Sequence, residues 1–198
     1  MAPVLLFDVM GTLVSEPFFE TVPQFFGLTL EQLYAVKDRR SWVDFERGFI
    51  DEATHAERFF SDRRAWDVDG LKAAMTAHYD WLDGMEDLVR RLNVAGYAQH
   101  TLSNYPVWYR LIEDKLKVSR YVDWTFVSCH MGFRKPVPEA YQYVVDALGV
   151  PAEDCIFVDD RPDNVKGAEA VGMRGVLRVD TPTLIQDLVA LGVPEAAA

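Results

Sequence analysis

Cysteine is scarce in this sequence: Cys129 and Cys155 are the two in 198 residues. That excludes a small disulfide-stapled scaffold, and both are expected near strand ends as buried free thiols of a reducing compartment. Basic residues are also short, 20 against 31 acidic ones, which leaves a net charge of −11. Nucleic acid is therefore disfavoured as a partner, because phosphate backbones are bound by basic surface. A phosphorylated small molecule is compatible with it, since a metal ion or one local lysine reverses the potential inside a pocket. No apolar run approaches the ~20 residues that span a bilayer, so no membrane partner is expected, and no signal peptide is visible. A first strand beginning at Pro3 leaves no room for a targeting segment, although one removed before residue 1 would leave no trace. A soluble, intracellular protein is expected, as a monomer or homodimer.

What is present is ordinary for a globular chain, 49% hydrophobic and 26% charged. Its most informative stretch is Val4-Leu5-Leu6-Phe7-Asp8. Four apolar residues read as a buried strand, and a carboxylate stands where that strand ends. Gly11 lets the backbone turn and Thr12 offers a hydroxyl. Asp8 could cap a following helix, or it could stand where open α/β sheets do their chemistry.

Residues 15–83 contain no convincing strand. Phe18, Phe19, Val22, Phe25 and Phe26 recur at helical spacing, and Leu28, Leu33 and Val36 continue it around Thr29, a plausible N-cap. Further helices are expected around Trp42, Phe45 and Phe49, around Ala56, Phe59 and Phe60, and around Leu71, Met75, His78 and Tyr79. From residue 84 strands and helices alternate. Strands are expected at Ala98–Leu102, Trp124–Cys129, Cys155–Val158 and Gly175–Val179. Helices are expected after Gly84, from Pro106 to Leu116, from Pro138 to Leu148, after Pro162 and from Thr183 to Leu191, with a disordered tail at Glu195–Ala198. The alternation predicts an α/β fold with a Rossmann-like, doubly wound parallel sheet. Its core would comprise residues 1–14 and 84–198, with residues 15–83 as an inserted all-helical lid.

Three predicted strands end in polar residues: Asp8, Ser103-Asn104 and Asp159-Asp160; Arg134-Lys135-Pro136 precedes a helix. Each could be bland, as a cap, a turn or solvated surface. Adjacent carboxylates near a third, however, repel strongly where solvent is limited and protonate unless a cation holds them ionised. Mg²⁺, a hard cation with oxygen ligands, is the natural partner.

Four segments in order then carry a resemblance: Asp8-Val9-Met10-Gly11-Thr12-Leu13, Leu102-Ser103-Asn104, Arg134-Lys135-Pro136-Val137-Pro138-Glu139, and Phe157-Val158-Asp159-Asp160-Arg161-Pro162-Asp163-Asn164-Val165. Together they are similar to the haloacid dehalogenase (HAD) superfamily, from residue 3 to about 180. The resemblance implies Asp8 as the nucleophile that becomes an aspartyl-phosphate, Ser103 with Asn104 as phosphoryl binders, and Lys135 as the neutralising cation. It implies metal ligation by Asp8, Asp160, the main-chain carbonyl of Met10, and Asp159 in or beside the shell. Asn164 could be structural.

One position departs from the pattern. Phosphatases of the superfamily carry an acid–base Asp two residues after the nucleophile, where this chain has Met10. A thioether has no proton to give. Three readings follow: a phosphatase using water or a lid residue such as His55 or His78; a metal-free haloacid dehalogenase, against which the acidic pair argues; or a binding protein that has lost catalysis. Phe7 to Thr12, Pro17-Phe18, Val22 to Gly27 and Asn104 to Tyr109 are similar to the flavin mononucleotide (FMN) hydrolases of plant and algal chloroplasts. That resemblance implies FMN as substrate, and the chloroplast stroma as an alternative to the cytoplasm. Trp42, Tyr105, Trp108, Phe18 and Phe19 could line a pocket for its ring, or could simply form cores.

Overall fold

The computed structural model describes residues 2–197. Its centre is β1 (Val4–Phe7), middle strand of a five-stranded sheet in the order β3-β2-β1-β4-β5. The others are β2 (Gln99–Ser103), β3 (Asp123–Val127), β4 (Cys155–Asp159) and β5 (Arg174–Leu177), and every pairing is parallel. The uninterrupted apolar run of β1 is explained by this position, since a central parallel strand is covered on both faces. Leu5 and Phe7 pack with Ile156 and Val158 on one face, and Leu6 packs with Cys155 and Phe157 on the other. The fold is α/β, a parallel sheet flanked by helices.

Helices α1 (Phe18–Phe25), α2 (Leu30–Val36), α3 (Ser41–Glu46), α4 (Glu52–Arg58) and α5 (Val68–His78) follow β1. Thr29 caps α2 as its sequence suggests, in a capping box with Gln32. The remaining helices are α6 (Met85–Val94), α7 (Tyr109–Leu116), α8 (Ser128–Met131), α9 (Pro138–Leu148), α10 (Pro162–Ala170) and α11 (Thr181–Ala190). Polar contacts tie the segment of the first five helices to the rest of the chain. Tyr79 and Tyr105 share a hydroxyl hydrogen bond of 2.7 Å, Arg47 Nε donates to the Gly132 carbonyl at 2.9 Å, and Ser128 Oγ donates to the Glu46 carbonyl.

Several boundaries differ from those expected. The strand expected over Trp124–Cys129 stops at Val127, because Ser128 and Cys129 enter α8, where Gly132 closes the turn. Phe49 lies beyond α3, and Phe59 and Phe60 beyond α4; the latter pair face back toward α2 through a bridge between Lys37 and Phe60. α7 begins at Tyr109 and leaves Pro106 in the preceding turn. The tail is ordered as far as it is described. Pro194–Ala197 forms a 3₁₀ turn whose Ala196 is buried, and Tyr97 donates to Glu195 at 2.5 Å; Ala198 lies outside the described residues. Cys155 opens β4 and is buried, Cys129 is half-buried in α8, and both are free thiols.

Candidate active site

The topology brings two carboxylates together. Phe7 pairs with Val158 across β1 and β4, and the Asp8 N–H donates to the Val158 carbonyl at 2.9 Å. Asp8 and Asp159 therefore leave adjacent parallel strands at the same edge. From β1 the chain winds to β2 on one side, and it later returns to β4 on the other, so this edge is the crevice where ligands of doubly wound sheets sit.

Lys135 joins the two. Its ammonium donates to Asp8 Oδ1 and to Asp159 Oδ2, both at 2.6 Å, and its side chain is wholly buried. Its backbone is held by Asn104, whose Oδ1 accepts the Lys135 N–H at 2.8 Å and whose Nδ2 donates to the Lys135 carbonyl at 2.9 Å. Asn104 thus spans the loop after β2 and the loop before α9. Ser103, at the end of β2, is buried, and its hydroxyl finds no partner among the described residues. An unpartnered buried hydroxyl is costly unless a ligand completes it.

Asp159 is saturated. Its oxygens accept from the Arg161 N–H, twice from the Asn164 amide and once from Lys135, which fills the four lone-pair positions of a carboxylate. Asn164, left open by its sequence alone, orients this carboxylate from the first turn of α10. Asp163, beside it, is exposed.

Asp160 is positioned by the turn after β1. The Thr12 hydroxyl accepts the Asp160 N–H at 3.1 Å, and Gly11, with φ of +79°, passes directly under the carboxylate. A Cβ at Gly11 would stand 2.7 Å from Asp160 Oδ2. Gly11→Ala is therefore expected to destabilise the fold by about 1–3 kcal/mol through the left-handed backbone and to displace Asp160. A urea unfolding midpoint indistinguishable from wild type would contradict this.

Carboxylate oxygens of Asp8, Asp159 and Asp160 lie within 4.8 Å of one another. Burial, then Asp159 and Asp160, pushes Asp8 up to about 7, with Lys135 pulling the other way. Asp160 is also raised, by burial and then by Asp159. For Lys135, burial pulls the pKa down, but Asp8 and Asp159 outweigh it and leave it raised. Three carboxylates and one ammonium leave an excess of negative charge among all-oxygen donors, a set that suits a hard divalent cation.

These groups open on a cavity of about 560 Å³, within the usual range for small-molecule sites. Asp8, Met10, Asn104, Tyr105, Lys135 and Asp160 lie on its wall, as do Phe18, Phe19 and Trp42. Trp108, which could have lined it or formed a core, does the latter: it is buried against Trp42, Phe45 and His55, and its indole donates to Glu52. Neither histidine reaches the cavity. His55 is fully buried, stacked on Phe45 at 4.6 Å and bonded to Ser41 at 2.8 Å, and burial lowers its pKa to about 4. His78 is exposed, with Nδ1 on the Ala74 carbonyl.

Three charged wall residues were not legible in the sequence. Glu16 accepts the Phe18 N–H at 2.9 Å and has a raised pKa, mainly from burial. Glu46 lies on the wall with Arg134 Nε at 2.6 Å, misaligned so that neither atom completes a hydrogen bond; burial pushes it up to about 6. Lys37 is the third. Glu46 ends α3, while Glu16 precedes α1 and Lys37 follows α2, and the local pattern does not reveal which way such positions face.

Residues 3–172 match the family described as haloacid dehalogenase-like hydrolase. The chain is 49% identical to flavin mononucleotide hydrolase 1, a chloroplast protein of Arabidopsis thaliana, over 96% of this chain and 78% of that one. It is 28% identical to a sesquiterpene phosphatase of Aspergillus oryzae, over 92% and 93%. Among solved structures, a HAD family enzyme from Bacteroides thetaiotaomicron, in complex with magnesium and inorganic phosphate, superposes with a TM-score of 0.76 at 20% identity. That match covers 89% of this chain and 94% of the other, a likeness of fold.

Proposed function

Because the chain belongs to the haloacid dehalogenase-like hydrolases, we propose that it hydrolyses phosphomonoesters through Asp8, with FMN as substrate and riboflavin and phosphate as products. The observation that carries this reading is the Lys135 ammonium shared by Asp8 and Asp159, beside Asp160, on the wall of an aromatic cavity.

In the first step an Asp8 oxygen attacks phosphorus, and the ester P–O bond breaks as the aspartyl-phosphate forms. The departing oxygen takes a proton and leaves as an alcohol. Water then attacks phosphorus, releasing phosphate and restoring the Asp8 carboxylate. Lys135 offsets the charge of nucleophile and phosphoryl oxygens throughout, and Ser103 and Asn104 bind those oxygens. Tyr105, directly after them, walls the substrate side of the cavity. Asp159 orients Lys135. Asp8, Asp160 and the Met10 carbonyl would hold Mg²⁺, with Asp159 beside them; the ion supplies electrophilic stabilisation of the phosphoryl oxygens. Residues 15–83, carrying the aromatic wall, act as a lid over this core.

Met10 lines the cavity but cannot donate or take the proton. A positioned acid–base group is worth about 10²–10⁴ in rate. Met10→Asp is therefore expected to raise kcat, most on poor alkyl leaving groups such as FMN and least on p-nitrophenyl phosphate. No gain would assign the proton to another wall group, Glu16 first.

The test is phosphate release from FMN, p-nitrophenyl phosphate and sugar phosphates, with Mg²⁺ or with EDTA. Mg²⁺-dependent release, highest on FMN, is expected. Silence on all substrates with Mg²⁺ binding retained would instead favour a ligand-binding protein, the reading that Met10 keeps open. No helix among the described residues is long and apolar enough to cross a membrane, and the proposed compartment is the cytoplasm or the chloroplast stroma.

A further inference from the structure

Among the charged groups of the cavity wall that phosphate chemistry leaves unused is Lys37. Lys37 follows α2, and its backbone is pinned by the bridge to Phe60, with Asp38 N–H donating to the Phe59 carbonyl and Ser61 N–H to the Val36 carbonyl. The residue is 8% exposed, and it lies on the cavity wall with Phe18 and Trp42. Its ammonium stands 4.7 Å from the Phe18 ring centre, 5.6 Å from Trp42 and 5.8 Å from Phe59.

Among the described residues, no carboxylate reaches ion-pair distance of this ammonium and no oxygen accepts from it. The acidic groups that act on it are engaged elsewhere, Glu46 with Arg134 and Asp38 with the N–H groups of Arg40 and Ser41. Burial pulls its pKa down to about 8, against the opposing pull of Glu46 and Asp38. Aromatic faces attract a cation but accept none of its three N–H bonds in the way an oxygen would. A desolvated donor of this kind is a strong selector, because a ligand lacking the acceptor leaves it unpaired.

We propose that Lys37 selects the leaving group, donating to an acceptor atom on the edge of a planar conjugated ring that lies against Phe18 and Trp42. In FMN that acceptor is a carbonyl oxygen of the pyrimidinedione end. This rests on the phosphomonoesterase reading above. The surroundings narrow the class further. The aromatic walls favour a flat ring over a sugar, and a saturated or isoprenoid tail would leave the ammonium unsatisfied. The nearby charge of Glu46 and Asp38 disfavours a second anionic group, so a neutral carbonyl fits better than a further phosphate.

The experiment compares wild type, Lys37→Met and Lys37→Arg on FMN and phenyl phosphate, with riboflavin binding followed by fluorescence quenching. Lys37→Met should raise KM for FMN and weaken riboflavin by about ten- to a hundredfold, the range for a hydrogen bond to a charged group. It should leave kcat/KM for phenyl phosphate, whose ring has no acceptor on its edge, within about twofold, and Lys37→Arg should recover part of the loss. An unchanged KM for FMN, or equal losses on both substrates, would overturn the proposal. A wild-type measurement needs no variant to fold: 1-naphthyl phosphate, flat but without an acceptor edge, should show a KM well above that of FMN, and equal values would also overturn it. Should no ester release phosphate, the phosphatase reading fails separately. Riboflavin binding then decides for Lys37, and undiminished binding by Lys37→Met would overturn the subsite.

Discussion

Asp8→Asn is expected to reduce phosphate release by on the order of 10⁴–10⁶ in kcat, the scale on which nucleophile removal acts elsewhere. The amide keeps the shape of the carboxylate and can still accept from Lys135, but its oxygen lacks the charge that attacks phosphorus. The same substitution should leave the fold at least as stable as wild type without added metal. Asp8 is a buried carboxylate raised toward neutrality by burial and by Asp159 and Asp160, so neutralising it relieves repulsion, while Lys135 keeps its bond to Asp159. The measurement is a phosphate-release assay run beside urea unfolding. A stable Asp8→Asn protein with activity within tenfold of wild type would remove Asp8 from the mechanism. Lost activity with a large loss of stability would give it a structural role instead.

Lys135→Met is the opposite case and should cost both activity and stability. Lys135 is wholly buried between two carboxylates at 2.6 Å, so its removal leaves two buried charges without their cation. Breaking a buried ion pair from one side typically costs about 3–5 kcal/mol. The sign with pH is specific. Without Lys135 the folded-state pKa of Asp8, about 7 even with the ammonium present, moves further above its unfolded value. A carboxyl group whose folded pKa is raised contributes its stability below the unfolded pKa and loses it as pH rises through the folded one. The deficit of Lys135→Met relative to wild type should therefore be larger at pH 8 than at pH 5.5, and Mg²⁺ should restore part of it. Equal deficits at both pH values would mean that Lys135 contributes packing rather than charge.

These two expectations rest on residues whose place in the fold was legible without a structure. Val4 to Phe7 can be read as a buried central strand because a parallel strand covered on both faces must be apolar along its whole length. Its end is then marked by the first charge, Asp8, and the same logic marks Asp159 after Cys155 to Val158. Thr29 announces a helix start as an N-cap, and the structure adds Gln32 as its capping-box partner. What misled the reading was local continuity. Ser128 and Cys129 extend an apolar strand in sequence but turn into α8 in space, and Ala196 in a short small-residue tail is buried against its own domain surface.

The cavity wall divides the same way. Tyr105 was traceable because it follows Ser103-Asn104 at a strand end, whereas Trp108, three residues on, turned inward to Trp42, Phe45 and His55. Composition and motif order by themselves determined the fold class, the family and the polar groups at the strand ends, since strand periodicity and strand-end chemistry are encoded within a few residues. The tertiary structure alone decided that Asn104 clamps Lys135, that Asn164 saturates Asp159, and that Glu16, Glu46 and Lys37 share the cavity with Asp8. Except for Asn164 with Asp159 and Glu16 with Asp8, those relations join residues far apart in the chain. Helical spacing says which side chains share a stripe, but which neighbour that stripe meets is set by packing between elements.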